Sequence, residues 1–178
     1  MTPDYQSERI AHLIRDVPDF PKAGILFKDI TPLLLQPTMF RRAVELMAAP
    51  FQGLAVTRVV SIESRGFLFG APIALALDAG LVPIRKPGKL PAERGRVEYA
   101  LEYGTDALEM HRDAVSGSDR VLVVDDVLAT GGTAAASAEL VRRHGATVVG
   151  FTFLIELAFL RGRERLVHEV VQAVLQYS

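Results

Sequence analysis

The chain has 178 residues, of which 49% are hydrophobic and 23% charged, and its net charge is −1. This length and balance fit one domain with a real core, and the near-neutral charge excludes a nucleic-acid footprint or a basic surface drawn to membranes. The lack of cysteine excludes disulfides and thiolate chemistry, and no apolar run is long enough to span a bilayer. No charged-then-apolar leader opens the sequence, so a soluble, cytoplasmic protein is expected.

Ile10, Leu13 and Ile14 fall at helical spacing and predict an amphipathic helix over Ser7–Arg15, with Ser7 as its cap. Val17–Pro32 carries three prolines and a glycine, which forbid a continuous helix and predict an ordered loop with an extended piece near Ile25–Phe27. The apolar pair Leu26-Phe27 fits core packing best on general grounds, although its backbone could equally line a pocket for a flat ligand. A helix is expected over Thr38–Ala49, with Phe40, Val44 and Met47 on one face. Arg58–Ile62 reads as a buried strand, followed by the turn Glu63-Ser64-Arg65-Gly66 and a helix through FLFGAPIALAL. A charged turn at a strand's carboxyl end is where open α/β sheets place ligands, so Arg65 is a candidate anion binder or the partner of a nearby carboxylate.

Leu81–Ile84 is a short strand leading into Arg85, Lys86 and Lys89. Exposed basic residues are ordinarily solvated surface, and these carry little weight alone. Pro87–Glu98 lacks apolar periodicity and is expected to form a long exposed loop, of the kind that serves as a lid. Tyr99–Tyr103 alternates like a returning strand and brings Glu102 with it. A helical turn is expected at Asp106–Arg112 and a surface turn at Ser116–Ser118.

Val121–Val124 is a run of four buried-strand residues ending at two adjacent carboxylates, Asp125 and Asp126. Ala129, Thr130, Gly131, Gly132 and Thr133 follow, and then a strong helix former over Ala134–His144, capped by Gly145. The turn and the first helical N–H groups make a pocket for a phosphate, the glycines allow close backbone approach, and the threonines add hydroxyl donors. The carboxylates would repel a phosphate, so they suit ribose hydroxyls or a Mg²⁺ reached through its water shell. An ordinary polar strand–turn–helix would account for a bare Gly-Gly, but not for the whole string. It contains neither the GxxxxGK[ST] of a P-loop nor GxGxxG. Thr147–Ile155 is a further buried strand, Glu156–Leu166 should hold a short helix, and Val170–Gln176 a last strand or extended tail. Strands alternating with helices predict an α/β fold with a parallel sheet.

The string VLVVDDVLATGGT resembles the phosphoribosyl-diphosphate (PRPP) motif of the type I phosphoribosyltransferases. PDFPKAGILFKDITPLL, SRGFLFGAPIALAL with RKPGKLP, and LEYGTDALEMH further resemble the family's adenine phosphoribosyltransferases, in the family's order. The resemblance implies a type I phosphoribosyltransferase fold: a mostly parallel twisted sheet flanked by helices, with a flexible lid loop at about 87–103 and a small hood at about 1–34, in one domain. It implies transfer of a 5-phosphoribosyl group from PRPP to adenine, giving AMP and diphosphate, in a homodimer. By the same resemblance Ala129–Thr133 cradle the 5′-phosphate, and Asp125 and Asp126 hold the ribose hydroxyls. Ser64 and Arg65 form a diphosphate loop with a cis peptide expected at Glu63–Ser64, joined by Arg85, Lys86 and Lys89. Adenine meets Leu26, Phe27, Lys28 and Leu157, and Glu102 is the general acid/base. Mg²⁺ is carried mainly by PRPP and water, with no dedicated protein ligands. The lid segment AERGRVEY is the least typical part. Another purine base, or a PRPP-sensing regulator on the same fold, is the alternative; a regulator would need a basic face or an added DNA-binding element.

Overall fold

The computed structural model describes residues 5–100, 105–166 and 169–178. The chain divides into two compact units, residues 1–46 and 47–178.

In the first unit, helix α1 (Tyr5–Ala11) is followed by an antiparallel pair, β1 (Arg15–Pro18) and β2 (Leu26–Asp29), then by helix α2 (Thr31–Leu34) and the start of helix α3 (Pro37–Ala48). The helix expected over Ser7–Arg15 thus starts before Ser7, which lies inside it rather than capping it, and ends early at Ala11. Arg15 is taken by β1, where its guanidinium donates to Asp29 at 2.6 Å. Of the three prolines, Pro18 ends β1, Pro21 lies in the connection after a cis peptide, and Pro32 stands in the first turn of α2, where its missing N–H costs nothing. The connection turns through Asp19 and Gly24, both at positive φ, and the Gly24 N–H donates to the Asp19 carboxylate at 2.8 Å. Within β2, Phe27 stacks edge-on against Phe20, their centroids 5.1 Å apart, and Lys28 pairs with Asp16 at 2.6 Å.

The second unit is built on a five-stranded parallel sheet in the order β4-β3-β7-β8-β9. The strands are β3 (Arg58–Ile62), β4 (Gly80–Ile84), β7 (Arg120–Leu128), β8 (Thr147–Leu157) and β9 (Val171–Tyr177). Helix α4 (Gly66–Ala76) connects β3 to β4, and helix α5 (Gly132–Arg143) connects β7 to β8. Val121 to Val124 are wholly buried, as an apolar run in a two-sided sheet demands. β3 lies between β4 and β7, so the winding direction reverses across the β3–β7 pair. Such a switch point opens a crevice at the strands' carboxyl ends. At their amino ends, buried Asp119 ties Thr57 and Ser116 together.

The stretch between β4 and β7 departs from expectation. β5 (Arg94–Ala100) and β6 (Thr105–His111) form an antiparallel pair where a long loop and a helical turn are expected. In β5, Gly95, Val97 and Tyr99 lie on the covered side and Arg94, Arg96 and Glu98 on the exposed one. The alternation is real, but a glycine stands in one apolar place and hides it. That glycine is required: a Cβ there would lie 2.3 Å from the ring of His144, the C-cap of α5. In β6, Ala107, Leu108, Glu109 and Met110 are all buried, so no alternation marks the strand, and their helix-forming composition is overridden by pairing.

Candidate active site

Two strand-to-helix turns flank the switch point. After β3 the chain passes through a cis Glu63–Ser64 peptide, as expected, and Arg65 precedes the first residue of α4. A Cβ on Gly66 would lie 2.9 Å from Asp125 Oδ1 and 3.1 Å from the Val124 carbonyl. Glycine thus lets the start of α4 press onto the end of β7. The two motifs legible in the sequence meet at this point.

β7 runs on to Leu128, so Asp125 and Asp126 lie within the strand rather than beyond it, with Asp125 in register with Phe153 of β8. Their backbone is fixed by the sheet. Asp126 is buried and forms an ion pair with Arg65, Nε to Oδ2 at 2.8 Å. Between the alternatives for Arg65, the structure shows the carboxylate partner. Burial pushes the Asp125 carboxyl well above its ordinary range, and the adjacent Asp126 charge pushes it further. Asp126 is raised too, by burial, with Arg65 opposing.

Beyond β7, Ala129 to Thr133 line a small cavity of about 70 Å³ together with Asp125, Val127, Leu128, Ala134 and Phe153. Since one water needs some 10–15 Å³ of such space, the cavity suits a single tetrahedral anion rather than a whole nucleotide. Gly131 is the N-cap of α5 at φ 78°, a left-handed conformation that Gly adopts without strain. The loop thereby delivers the helix N-terminus, with its unpaired N–H groups, to the cavity.

The basic residues after β4 are already engaged. Arg85 donates from Nε to Glu63 Oε2 at 3.0 Å, and the Lys86 N–H reaches the same oxygen at 2.8 Å. The Arg85 hydrogen bond chiefly, with help from Lys86, holds Glu63 below the usual carboxylate range against its burial. The Lys86 ammonium pairs with Asp106, which also accepts from the Tyr99 hydroxyl at 3.2 Å. Thr133 in turn donates to Tyr99 at 3.4 Å, linking the 129–133 loop to the β5–β6 hairpin. Lys89 lies in the exposed turn at Pro87–Lys89.

Several residues that sequence reasoning missed support this turn and loop. Glu109, 3% exposed, accepts from the Gly88 N–H at 3.0 Å and pairs with Arg94 at 3.0 Å, fixing the 85–89 segment to β6. Gly162 packs on the Ala129–Gly131 backbone, and Arg163 beside it in sequence pairs with Glu156. No alternation in β6 pointed to Glu109, and only the glycine of GRER hinted at the second group. Leu157 ends β8, half buried. Leu26, Phe27 and Lys28 lie together on β2 of the first unit. Glu102 lies outside the described residues.

Phosphoribosyl transferase domain is the family whose model matches, over residues 34–172. The adenine phosphoribosyltransferase of Myxococcus xanthus is 60% identical over 92% of this chain and 89% of its own length. The chain belongs to the adenine phosphoribosyltransferase family. The family's crystal structure from Rhodothermus marinus superposes with a TM-score of 0.93 at 55% identity, covering 97% of this chain and 98% of that one. That from Saccharomyces cerevisiae, complexed with an imino-altritol bisphosphate and adenine, gives 0.90 at 38% identity over 96% and 98%.

Proposed function

We propose that the protein transfers the 5-phosphoribosyl group of PRPP to adenine, forming AMP and diphosphate. The observation that carries this is the junction of the acid pair, the Ala129–Thr133 cavity and the Ser64–Arg65 turn at one switch point. In the reaction the C1′–N9 bond forms as the C1′–O bond breaks. Diphosphate leaves with the bonding electrons, and N9 gives up its proton.

The amides and hydroxyls of residues 129–133 grip the 5′-phosphate, and Asp125 and Asp126 accept hydrogen bonds from the ribose hydroxyls. Ser64, Arg65, Arg85, Lys86 and Lys89 serve the diphosphate. For Arg65 and Lys86 this means exchanging a resident carboxylate for the ligand. Adenine recognition falls to Leu26, Phe27, Lys28 and Leu157, and proton transfer to Glu102. Paired hard oxygen donors at Asp125 and Asp126 fit Mg²⁺ reached through water, and no third His, Cys, Asp or Glu joins them among the described residues. When bound with PRPP, Mg²⁺ neutralises charge on the leaving diphosphate. Arg65 and Lys86 complement it, and the hairpin that carries Tyr99 limits water.

We further propose a cytoplasmic homodimer of single-domain subunits, each with a hood near residues 1–34 and a lid near 87–103. Support for the dimer is the outer face of α4, where Leu68 is 43% and Leu75 85% exposed, beside edge-strand Leu81 at 45%. A helix apolar all round is normally covered. A cytoplasmic site fits a charged phosphorylated substrate and a cysteine-free chain.

The test is competition of adenine against guanine and hypoxanthine in a PRPP-dependent assay. Adenine should be consumed with release of diphosphate, and failure to turn adenine over would refute the assignment.

A further inference from the structure

The phosphate loop is braced by a turn that does not itself line the cavity. Gly162, in the 3₁₀ turn Gly162–Arg165 that follows β8, packs its backbone directly on the loop. A Cβ on Gly162 would lie 2.1 Å from the Ala129 carbonyl oxygen, and one on Gly131 would lie 2.3 Å from the Gly162 carbonyl oxygen. Each approach is closer than any side chain permits, so the two backbones pack directly and neither can shift toward the other. The turn is in turn held by its second residue. Arg163 grips buried Glu156 bidentately, Nε to Oε1 at 3.0 Å and Nη2 to Oε2 at 2.5 Å, and its Nη1 donates to the Val171 carbonyl at 2.7 Å. Glu156 is the strand neighbour of Leu128, the last residue of β7 before the loop. One guanidinium therefore ties the turn to β8, to β9 and, through Glu156, to the root of the loop.

We propose that Gly162, Arg163 and Glu156 are positioning residues for the phosphoribosyl donor, setting the spacing of the 129–133 backbone and so its fit to the 5′-phosphate. This rests on the assignment of that loop to the phosphate. A forked Arg–carboxylate contact fixes geometry more tightly than an ammonium can, which suits a brace whose task is register. Small displacements at such a site are costly for binding and reaction.

Gly162→Ala and Arg163→Lys test the brace, with Thr133→Val as a control in the loop itself. The readouts are calorimetric binding of ribose 5-phosphate and the KM values for PRPP and adenine. Gly162→Ala should weaken ribose 5-phosphate binding and raise the PRPP KM about tenfold or more, leaving the adenine KM within about twofold. Arg163→Lys should move the same two quantities in the same direction by less. Unchanged ribose 5-phosphate binding in a folded Gly162→Ala protein would overturn the proposal if Thr133→Val weakens it. If neither variant weakens it, the phosphate assignment of the loop falls instead. Should Gly162→Ala not fold, Arg163→Lys decides: parallel change of both KM values would show a merely structural role, and a rise confined to PRPP the positioning one.

Discussion

Asp125 and Asp126 pay for their position with solvation. Burial raises both carboxyls, and for Asp125 the neighbouring charge adds to it. A carboxyl whose pKa is higher in the folded than in the unfolded state contributes stability that is complete below the unfolded value and is lost as pH rises through the folded one. On the proposed assignment the ribose hydroxyls, as donors, need the ionised form. Lowering the pH should therefore weaken PRPP binding while relieving the empty protein of its buried charge, and PRPP binding at a pH where the pair is partly protonated should release protons. Calorimetry in buffers of different ionisation enthalpy measures that release. Asp125→Asn should lower PRPP affinity about tenfold or more, the loss expected for hydrogen bonds to a charged group. The same substitution should raise the stability of the unliganded protein by about 1 kcal/mol in urea unfolding, since function-bearing buried charges are held at the expense of stability.

Among elements, the central strand–turn–helix was legible in kind, because β-branched residues, acids and glycines each have a local physical reason to stand where they do, but not in its bounds, since the strand runs on through both acids to Leu128. The Arg65 turn was legible for the same reason, and so was the Gly145 cap, whose N–H donates to the Arg142 carbonyl at 2.9 Å. The β5–β6 hairpin was not. Its inward positions include Gly95, whose reason lies on α5, about fifty residues away in sequence. Nor was the Glu156–Arg163 brace legible, since it depends on which strand neighbours which. The hairpin's seat on α5 can be tested at Gly95. The His144 ring is pinned by Nδ1 to the Leu140 carbonyl at 2.8 Å, so it cannot swing clear of a methyl group. Gly95→Ala should destabilise the protein by about 1–3 kcal/mol, as overpacking typically does. Adding His144→Ala should recover part of that loss, and a double-mutant cycle in urea measures the coupling.

At the scale of the whole molecule, the site is assembled from turns after β3, β4 and β7, all at one end of one sheet, and braced by the turn after β8. The α/β class followed from the alternation of elements, but the strand order and its reversal at β3–β7 did not, because hydrophobic pattern says which strands are buried and not which are neighbours. α4 joins the two levels: its first turn packs on Asp125, and its outer face bears Leu68 and Leu75. If that face is the contact between subunits, Leu75→Glu should give a monomer by sedimentation equilibrium at micromolar concentration. It should also lower thermal stability, since dimer and fold support one another by mass action.

The ion pair between Arg65 and Asp126 has a bearing on discrimination. The crevice is internally compensated before anything arrives, so it holds little surplus positive potential with which to concentrate bare anions. Inorganic phosphate or sulfate can satisfy the amides of the loop but brings no hydroxyl for the acids and must contend with their repulsion. A sugar phosphate offers an anion and donors together. On the proposed assignment, selectivity against small inorganic anions rests on a penalty as much as on an attraction.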